Sequence, residues 1–268
     1  MAKKEMNEKE FIDQNNLGDK FTAARTQRCE DLMVPEAKAL LNLPLEEKVK
    51  KSQEIIKEAL KKYKNVGLGW SGGTDSRILL AITLPLKRDI PTVFVDTQHE
   101  FPETYRYVDD VRRELQLTNH TTVMASQDRE KEFEEKYGLK TPEFTTECCN
   151  YHKITPMMDA IRKFKFDAFL VGLRGVEHEE RAKEVFFSPR HNPDHIRVHP
   201  LLFWRKEDIL EYVKKYNIKC NPMYAKGYTS LGCTICTSPN TDPNAHERAG
   251  RGVVRETVMK RLRELGYT

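Results

Sequence analysis

The chain has 268 residues, 45 of them Lys or Arg and 41 Asp or Glu, for a formal net charge of +4. That length suffices for one large α/β domain with a full core, and the near balance of charge excludes a chain held to nucleic acid by bulk basicity alone. No run approaches the roughly eighteen apolar residues of a membrane helix and the opening MAKKEMNEKEF lacks an apolar signal core, so the protein is expected in the cytoplasm, where its six cysteines read as metal ligands, redox groups or buried thiols rather than disulfides.

In chain order, residues 1–45 are polar with scattered apolar positions (Phe11, Phe21, Leu32, Leu40) and read as a helical N-terminal extension of one or two peripheral helices. Over 45–63, Val49, Ile55, Ile56 and Leu60 recur at helical spacing on a Lys/Glu background, the mark of an amphipathic helix packed on something larger. Strand-like runs at 66–70, 92–95, 121–124, 168–171 and 196–198 then alternate with helical stretches at 76–86, 102–115, 133–138, 154–164 and 206–216. The expectation for 46–217 is an α/β domain: a doubly wound, mostly parallel five-stranded sheet with its site at the carboxyl ends of the strands. Residues 218–268 are rich in Gly, Pro, Cys and Asn, end in a basic helix at 253–265, and are expected to pack on the same domain.

Ser71-Gly72-Gly73-Thr74-Asp75-Ser76 lies between the first strand and its helix. Two glycines let backbone N–H groups turn toward one anion, and the helix adds its positive end, so phosphate is the natural guest. The run is neither a Walker A loop nor G-x-G-x-x-G; as an ordinary tight turn, its Ser or Asp would simply cap the helix. It resembles the pyrophosphate loop of the PP-loop, or adenine nucleotide α-hydrolase-like, superfamily, whose members split ATP into AMP and pyrophosphate or bind related adenylyl compounds. That resemblance implies that Ser71, Gly72, Gly73, Thr74, Asp75 and Ser76 cradle the pyrophosphate or its equivalent; Thr74 stands where many members carry Lys. The run 95–105, with Asp96-Thr97-Gln98 followed by Phe101-Pro102-Glu103-Thr104-Tyr105, is similar to the "DTG-x-x-FPETY" element of the phosphoadenylyl sulfate (PAPS) reductase family. It implies that Asp96 and Thr97 lie beside the nucleotide, with Gln98 replacing the usual Gly.

Cys148-Cys149 are adjacent, and Cys233-x-x-Cys236 follows much later. Thiolates suit iron–sulfur clusters or zinc, and two pairs from distant segments can converge on one site. Taken alone, the adjacent pair also reads as two buried small hydrophobes. Their flanks carry more. Residues 147–156 resemble the "ECC-x-x-x-KV-x-P" stretch of adenylyl sulfate reductases, 227–237 resemble their "GY-x-SIGC-x-x-CT", and 246–251 their "DERAGR". The three in order imply a 4Fe-4S cluster on Cys148, Cys149, Cys233 and Cys236, with Lys153 close by. Cys29 and Cys220 fall outside this set and are expected to be structural thiols.

Residues 172–181 follow a strand, which puts their polar groups at the site end of the sheet, and Arg offers a planar fork for sulfate or phosphate. The run is similar to the reductases' "GLRRD-x-S-x-x-R", which carries over Arg174 and Arg181; Gly175 and Val176 stand where that element has Arg and Asp. Arg248 and Arg251 are weaker candidates, and His199 with Trp204 reads as core.

The resemblance covers about 60–252 and implies an iron–sulfur enzyme of sulfur metabolism. Reductases of this kind attack the sulfur with a cysteine on a C-terminal tail, and no Cys follows Cys236. Together with the intact loop, this sets the leading expectation as an ATP pyrophosphatase that adenylates an acceptor for sulfur transfer. Asp75 would hold Mg²⁺, and Arg174, Arg181 and Lys153 would stabilise charge on the anion. The alternatives are an adenylyl sulfate or phosphoadenylyl sulfate reductase, with Cys29, Cys220 or a partner's thiol attacking; a tRNA or DNA thiolation enzyme, for which 48–64 and 251–263 offer basic surface; and a non-catalytic nucleotide-binding subunit. ATP and adenylyl sulfate both remain open as the nucleotide, as do a sulfur-donor or electron-donor protein and self-association.

Overall fold

Val66–Gly69 forms the central strand, β1, of a computed structural model that describes residues 23–137, 145–240, 242, 246–251 and 258–267. Leu68 is fully buried in it. Gly69 leaves room on one face: a Cβ there would meet the Phe169 ring at 2.9 Å. The strand is left by the glycine loop and the helix α4 (Thr74–Thr83), whose Ile78, Leu79 and Leu80 are buried. Before it come α1 (Ala23–Leu32), α2 (Pro35–Lys38) and α3 (Leu45–Lys62); residues 1–22 of the expected extension lie outside the described residues.

After α4 the chain runs β2 (Thr92–Val95), α5 (Pro102–Glu114), β3 (His120–Val123), α6 (Gln127–Tyr137), α7 (Thr145–Cys149), a π-turn (Asn150–Ile154), α8 (Thr155–Phe164) and β4 (Ala168–Leu170). A 3₁₀ turn (Gly175–Glu177), α9 (Glu179–Ala182), β5 (Phe187–Arg190), β6 (His195–Val198) and α10 (Lys206–Lys215) follow. The described part of the expected C-terminal helix is α11 (Met259–Glu264).

The sheet order is β3-β2-β1-β4-β6-β5. Every pairing is parallel except β5 with β6. This is the expected doubly wound, mostly parallel sheet, and it corrects the strand count: among the described residues there are six strands, not five. The extra one, β5, is a short edge strand of sequence FSPR, and its Pro, which cannot donate to a ladder, is tolerated because the strand is at the edge. Strand order reverses between β1 and β4, and the carboxyl ends of those two strands frame the crevice where open α/β sheets bind ligands.

Three packed regions hold the frame. On one face, Ile55, Ile56 and Ala59 of α3 meet α4, α10 and Trp204, each large apolar side chain contributing about 1.5–3 kcal/mol. On the other, Ile154, Met158 and Ile161 pack with Phe169, Met259 and Leu262. The N-terminal helices and the turns after them lay Cys29, Met33, Ala37 and Leu41 against Leu173, Val176 and Leu202, so they buttress the loop that follows β4. Polar ties are buried with them: Lys48 pairs with Asp208, and Trp204 Nε1 donates to Ser52 Oγ at 3.0 Å. His199 and Trp204 are fully buried, as expected of core residues. Among the described residues no helix is long and apolar enough to cross a membrane.

Candidate functional site

The loop after β1 is pinned from within. Ser71 N donates to Ser76 Oγ at 3.2 Å, and Ser76 Oγ donates to Gly73 O at 2.9 Å. Gly72 takes φ +75°, a left-handed conformation that costs Gly little. Thr74 N donates to the hydroxyl of Tyr224 at 3.1 Å. The first-turn amides of Asp75 and Ser76 have no carbonyl four residues back to bond, and both residues line a cavity of about 200 Å³ at the β1/β4 crevice. A helix start that presents such amides favours an anion. The loop after β4 presses on this helix start: a Cβ on Gly172 would lie 2.8 Å from Ser76 N and 2.9 Å from the Asp75 carbonyl carbon.

Ser71, Gly73, Thr74, Asp75, Ser76, Arg174, Arg181 and Lys153 all line this cavity. Of the remaining loop and strand-end candidates, Gly72 and Asp96 are not among the lining residues, and Thr97 lines a second, smaller void. Asp96 is instead held by Gln98 N, which donates to it at 2.6 Å, and by Tyr105 Oη at 2.7 Å. It acts as a turn-fixing group.

Arg174 is 1% exposed and sits among carboxylates. Its Nε donates to Asp75 Oδ2 at 3.1 Å, and its Nη2 donates to Glu247 Oε2 at 2.8 Å and lies 3.4 Å from Glu177 Oε1. Arg181 donates to Glu177 in turn. Burial raises the Asp75 carboxyl above its usual range, against the pull of Arg174. Burial works the same way on Glu177 and Glu247, but there the cations win. Arg181 and Arg174 hold Glu177 low, and Arg174 and Lys206 hold Glu247 low. Arg174 Nη1 is buried and has no hydrogen-bond partner among the described residues, so the network keeps a donor in reserve at the cavity. Nothing in the sequence pattern singled out Glu177 or Glu247. The signal was present: two carboxylates in the same segments as the candidate arginines.

The cysteines form the second part of the site. Cys148 and Cys149 end α7, and the π-turn after them carries His152 and Lys153; π-turns often mark functional positions. Cys233 opens a 3₁₀ turn that holds Cys236, and Thr234 N donates to His99 O at 2.8 Å, which ties this turn to the loop after β2. Cys148, Cys149 and Cys233 line a void of about 20 Å³ together with Thr97, His99, His152, Lys153 and Arg251. None of the six cysteines is in a disulfide.

Lys153 and Arg251 line both cavities. They stand between the glycine loop's chamber and the thiols. Glu100 lies on the same border, accepting from Thr97 Oγ1 at 2.9 Å, and burial raises its pKa despite Lys153. Soft thiols beside two cations suit an anionic iron–sulfur cluster in donor chemistry, although among the described residues no three Cys, His, Asp or Glu side chains stand in metal-ligating positions. Cys29 and Cys220 line neither cavity; Cys29, on α1, is buried in the cluster with Leu173, Val176 and Leu202, and Cys220 in the main core.

The phosphoadenosine phosphosulfate reductase domain model matches residues 65–239. The chain is 29% identical over 213 residues to adenosine 5'-phosphosulfate reductase of Staphylococcus epidermidis, covering 78% of this chain and 85% of that protein. It is 30% identical over 172 residues to the enzyme of the same name from Anoxybacillus flavithermus, covering 63% and 71%. Among solved structures, PAPS reductase from Candida auris superposes with a TM-score of 0.58 at 21% identity, over 74% of this chain and 92% of that one. FMN adenylyltransferase from Candida glabrata also gives 0.58, at 19% identity, over 84% and 76%; these two likenesses speak for the fold. A sheet with its glycine loop at the β1/β4 crevice and matching sequence across most of the chain make this protein a member of the PAPS reductase family, an enzyme of the sulfonucleotide reductase type.

Proposed function

We propose that the large cavity binds adenosine 5'-phosphosulfate or its 3'-phosphorylated form and that the protein catalyses thiol attack on the nucleotide's sulfur, leading to sulfite. The observation that carries this reading is the shared border: Lys153 and Arg251 face both the chamber of the phosphate loop and the cysteine void. A nucleotide with its phosphate on the loop amides would direct its sulfonate toward those cations.

The chemistry balances with a dithiol as reductant. A thiolate forms a bond to sulfur, the sulfur–oxygen bond to the nucleotide breaks, and AMP or its 3'-phosphorylated form leaves with the electron pair on its phosphate oxygen. A second thiolate then bonds to the first thiol's sulfur, sulfite departs, and the dithiol is oxidised to a disulfide while its two protons go to solvent. The loop amides and the Arg174 network would receive the charge that grows on the leaving phosphate, and Lys153 and Arg251 would hold the sulfonate. Since Cys29 and Cys220 line neither cavity, an electron-donor protein or small dithiol fits the attacking role better than either of them.

Cys148, Cys149, Cys233 and Cys236 are the residues that would hold a 4Fe-4S cluster. Bound there, it would supply electrostatic and redox influence at the sulfonate end. Magnesium fits less well: Asp75, its expected ligand, already engages Arg174 through Oδ2, and no step is assigned to a metal ion there.

The ATP pyrophosphatase reading keeps one observation in its favour, the well-formed loop with Asp75 and Ser76 at a helix start. Relatives named as adenosine 5'-phosphosulfate reductases support the sulfite-forming reading more. Anaerobically prepared protein given adenylyl sulfate and a dithiol is expected to release sulfite and AMP in equal amounts. Pyrophosphate release from ATP, with no sulfite from adenylyl sulfate, would reverse the order of the two readings.

A further inference from the structure

The nucleotide cavity has an apolar end, and a cation is buried in it. Val93 and Val95 of β2, Phe169 and Val171 at β4, and Met157 of α8 line that end, and Arg197 of β6 lines it with them. Arg197 is the register partner of Phe169. Its guanidinium carbon lies 5.9 Å from the centre of the Phe169 ring, and the residue is 1% exposed. Nη2 donates to Gly266 O at 3.2 Å and approaches Met157 Sδ at 3.6 Å. Neither is an anion. Among the described residues, no carboxylate lies within ion-pair distance of Arg197, and its Nε has no hydrogen-bond partner.

Glu184 acts on this cation only from beyond ion-pair distance; a buried cation without a close counter-charge is costly, and a guanidinium can be satisfied only by acceptors. Burial lowers its pKa to about 9, so it stays charged at neutral pH. The ligand is therefore the natural source of an acceptor. A second phosphate group fits this end poorly, because Phe169 and Met157 beside Arg197 and the valines lining the same cavity would strip its water and offer no donor in return. A flat ring with an acceptor on its edge fits both features. If the phosphate lies on the loop amides, the base is the part of the nucleotide left to fill this end.

We propose that Arg197 is a specificity-determining residue of the base subsite, donating a hydrogen bond to an acceptor nitrogen on the edge of the bound adenine ring. This rests on the nucleotide-binding reading above and adds the group that reads the base. The exocyclic amine of adenine is a donor and cannot face the guanidinium productively, which leaves N1, N3 or N7 as the contact.

The test is calorimetric titration of the wild-type protein with AMP and with its 1-deaza, 3-deaza and 7-deaza analogues, repeated on Arg197→Met. One analogue is expected to bind wild type about tenfold or more weakly than AMP does, as for loss of a buried charge-assisted hydrogen bond. Arg197→Met is expected to bind AMP more weakly by a similar factor and no longer to distinguish AMP from that analogue. If wild type binds all three analogues as tightly as AMP, or if the Met variant still penalises the same analogue as wild type does, the proposal is overturned. Should the Met variant not fold, Arg197→Lys preserves the charge but not the planar fork; it is expected to lose the same discrimination, and retaining it would overturn the proposal. Failure of wild type to bind AMP at all would instead defeat the nucleotide reading, and this inference with it.

Discussion

Gly172→Ala is expected to weaken binding of AMP or adenylyl sulfate about a hundredfold while leaving the secondary structure intact. The added methyl would sit 2.8 Å from Ser76 N and 2.9 Å from both Ser76 Cα and the Asp75 carbonyl carbon. All three are main-chain atoms, so no side chain can rotate aside. Either the loop after β4 must retreat or the start of α4 must move. The first disturbs Arg174, two residues on, and the second displaces the Asp75 and Ser76 amides. Losing two hydrogen bonds to a charged group, at about 1.5–3 kcal/mol each, costs on the order of a hundredfold or more in affinity. Calorimetric affinity with circular dichroism as the control checks this; affinity within twofold of wild type would mean that the contact between β4 and α4 does not set the loop.

Arg174→Met has the second large effect, on stability first. The substitution keeps the bulk and removes the cation, leaving Asp75, Glu177 and Glu247 close together with their shared partner gone. Breaking a buried ion pair from one side costs about 3–5 kcal/mol. The loss should also depend on pH. Burial already raises Asp75 above its ordinary value and Arg174 opposes that rise. For a group whose folded pKa is raised, stability is lost as pH climbs through the folded value, and removing Arg174 moves that value higher still. Glu177 and Glu247 are held low in the folded protein partly by Arg174, so the stability they confer above their ordinary pKa also shrinks. Both effects predict a larger deficit at neutral than at acid pH. Urea unfolding at the two conditions checks it: an equal deficit would show that the carboxylates are not the source.

Much of this fold is legible in the sequence. The glycine loop between an apolar run and a helix announced β1, the turn and α4, because phosphate-binding loops demand both small residues and a helix start. The parallel sheet followed from alternation of short apolar runs with amphipathic helices. What stayed hidden has physical reasons. Strand β5 reads FSPR, too short and too polar to show a period of two, and it exists because β6 offers it an edge. Glu177 and Glu247 looked like solvated charge, and only the fold brings them onto Arg174. Arg197 was invisible as a site residue because a strand period does not say which face becomes a cavity wall. Asp96, which the family element implies lies beside the nucleotide, fixes a turn through Gln98 and Tyr105. Of the two cysteine pairs expected to converge, Cys148, Cys149 and Cys233 line one void and Cys236 does not.

The most direct measurement is a crystal structure of the anaerobically prepared protein with adenylyl sulfate bound in the absence of reductant. The account predicts phosphate oxygens within hydrogen-bonding distance of the Asp75 and Ser76 amides and the sulfonate between Lys153 and Arg251, facing the cysteines. A nucleotide seated outside the β1/β4 crevice, or one whose sulfonate points away from Cys148, Cys149 and Cys233, would contradict it.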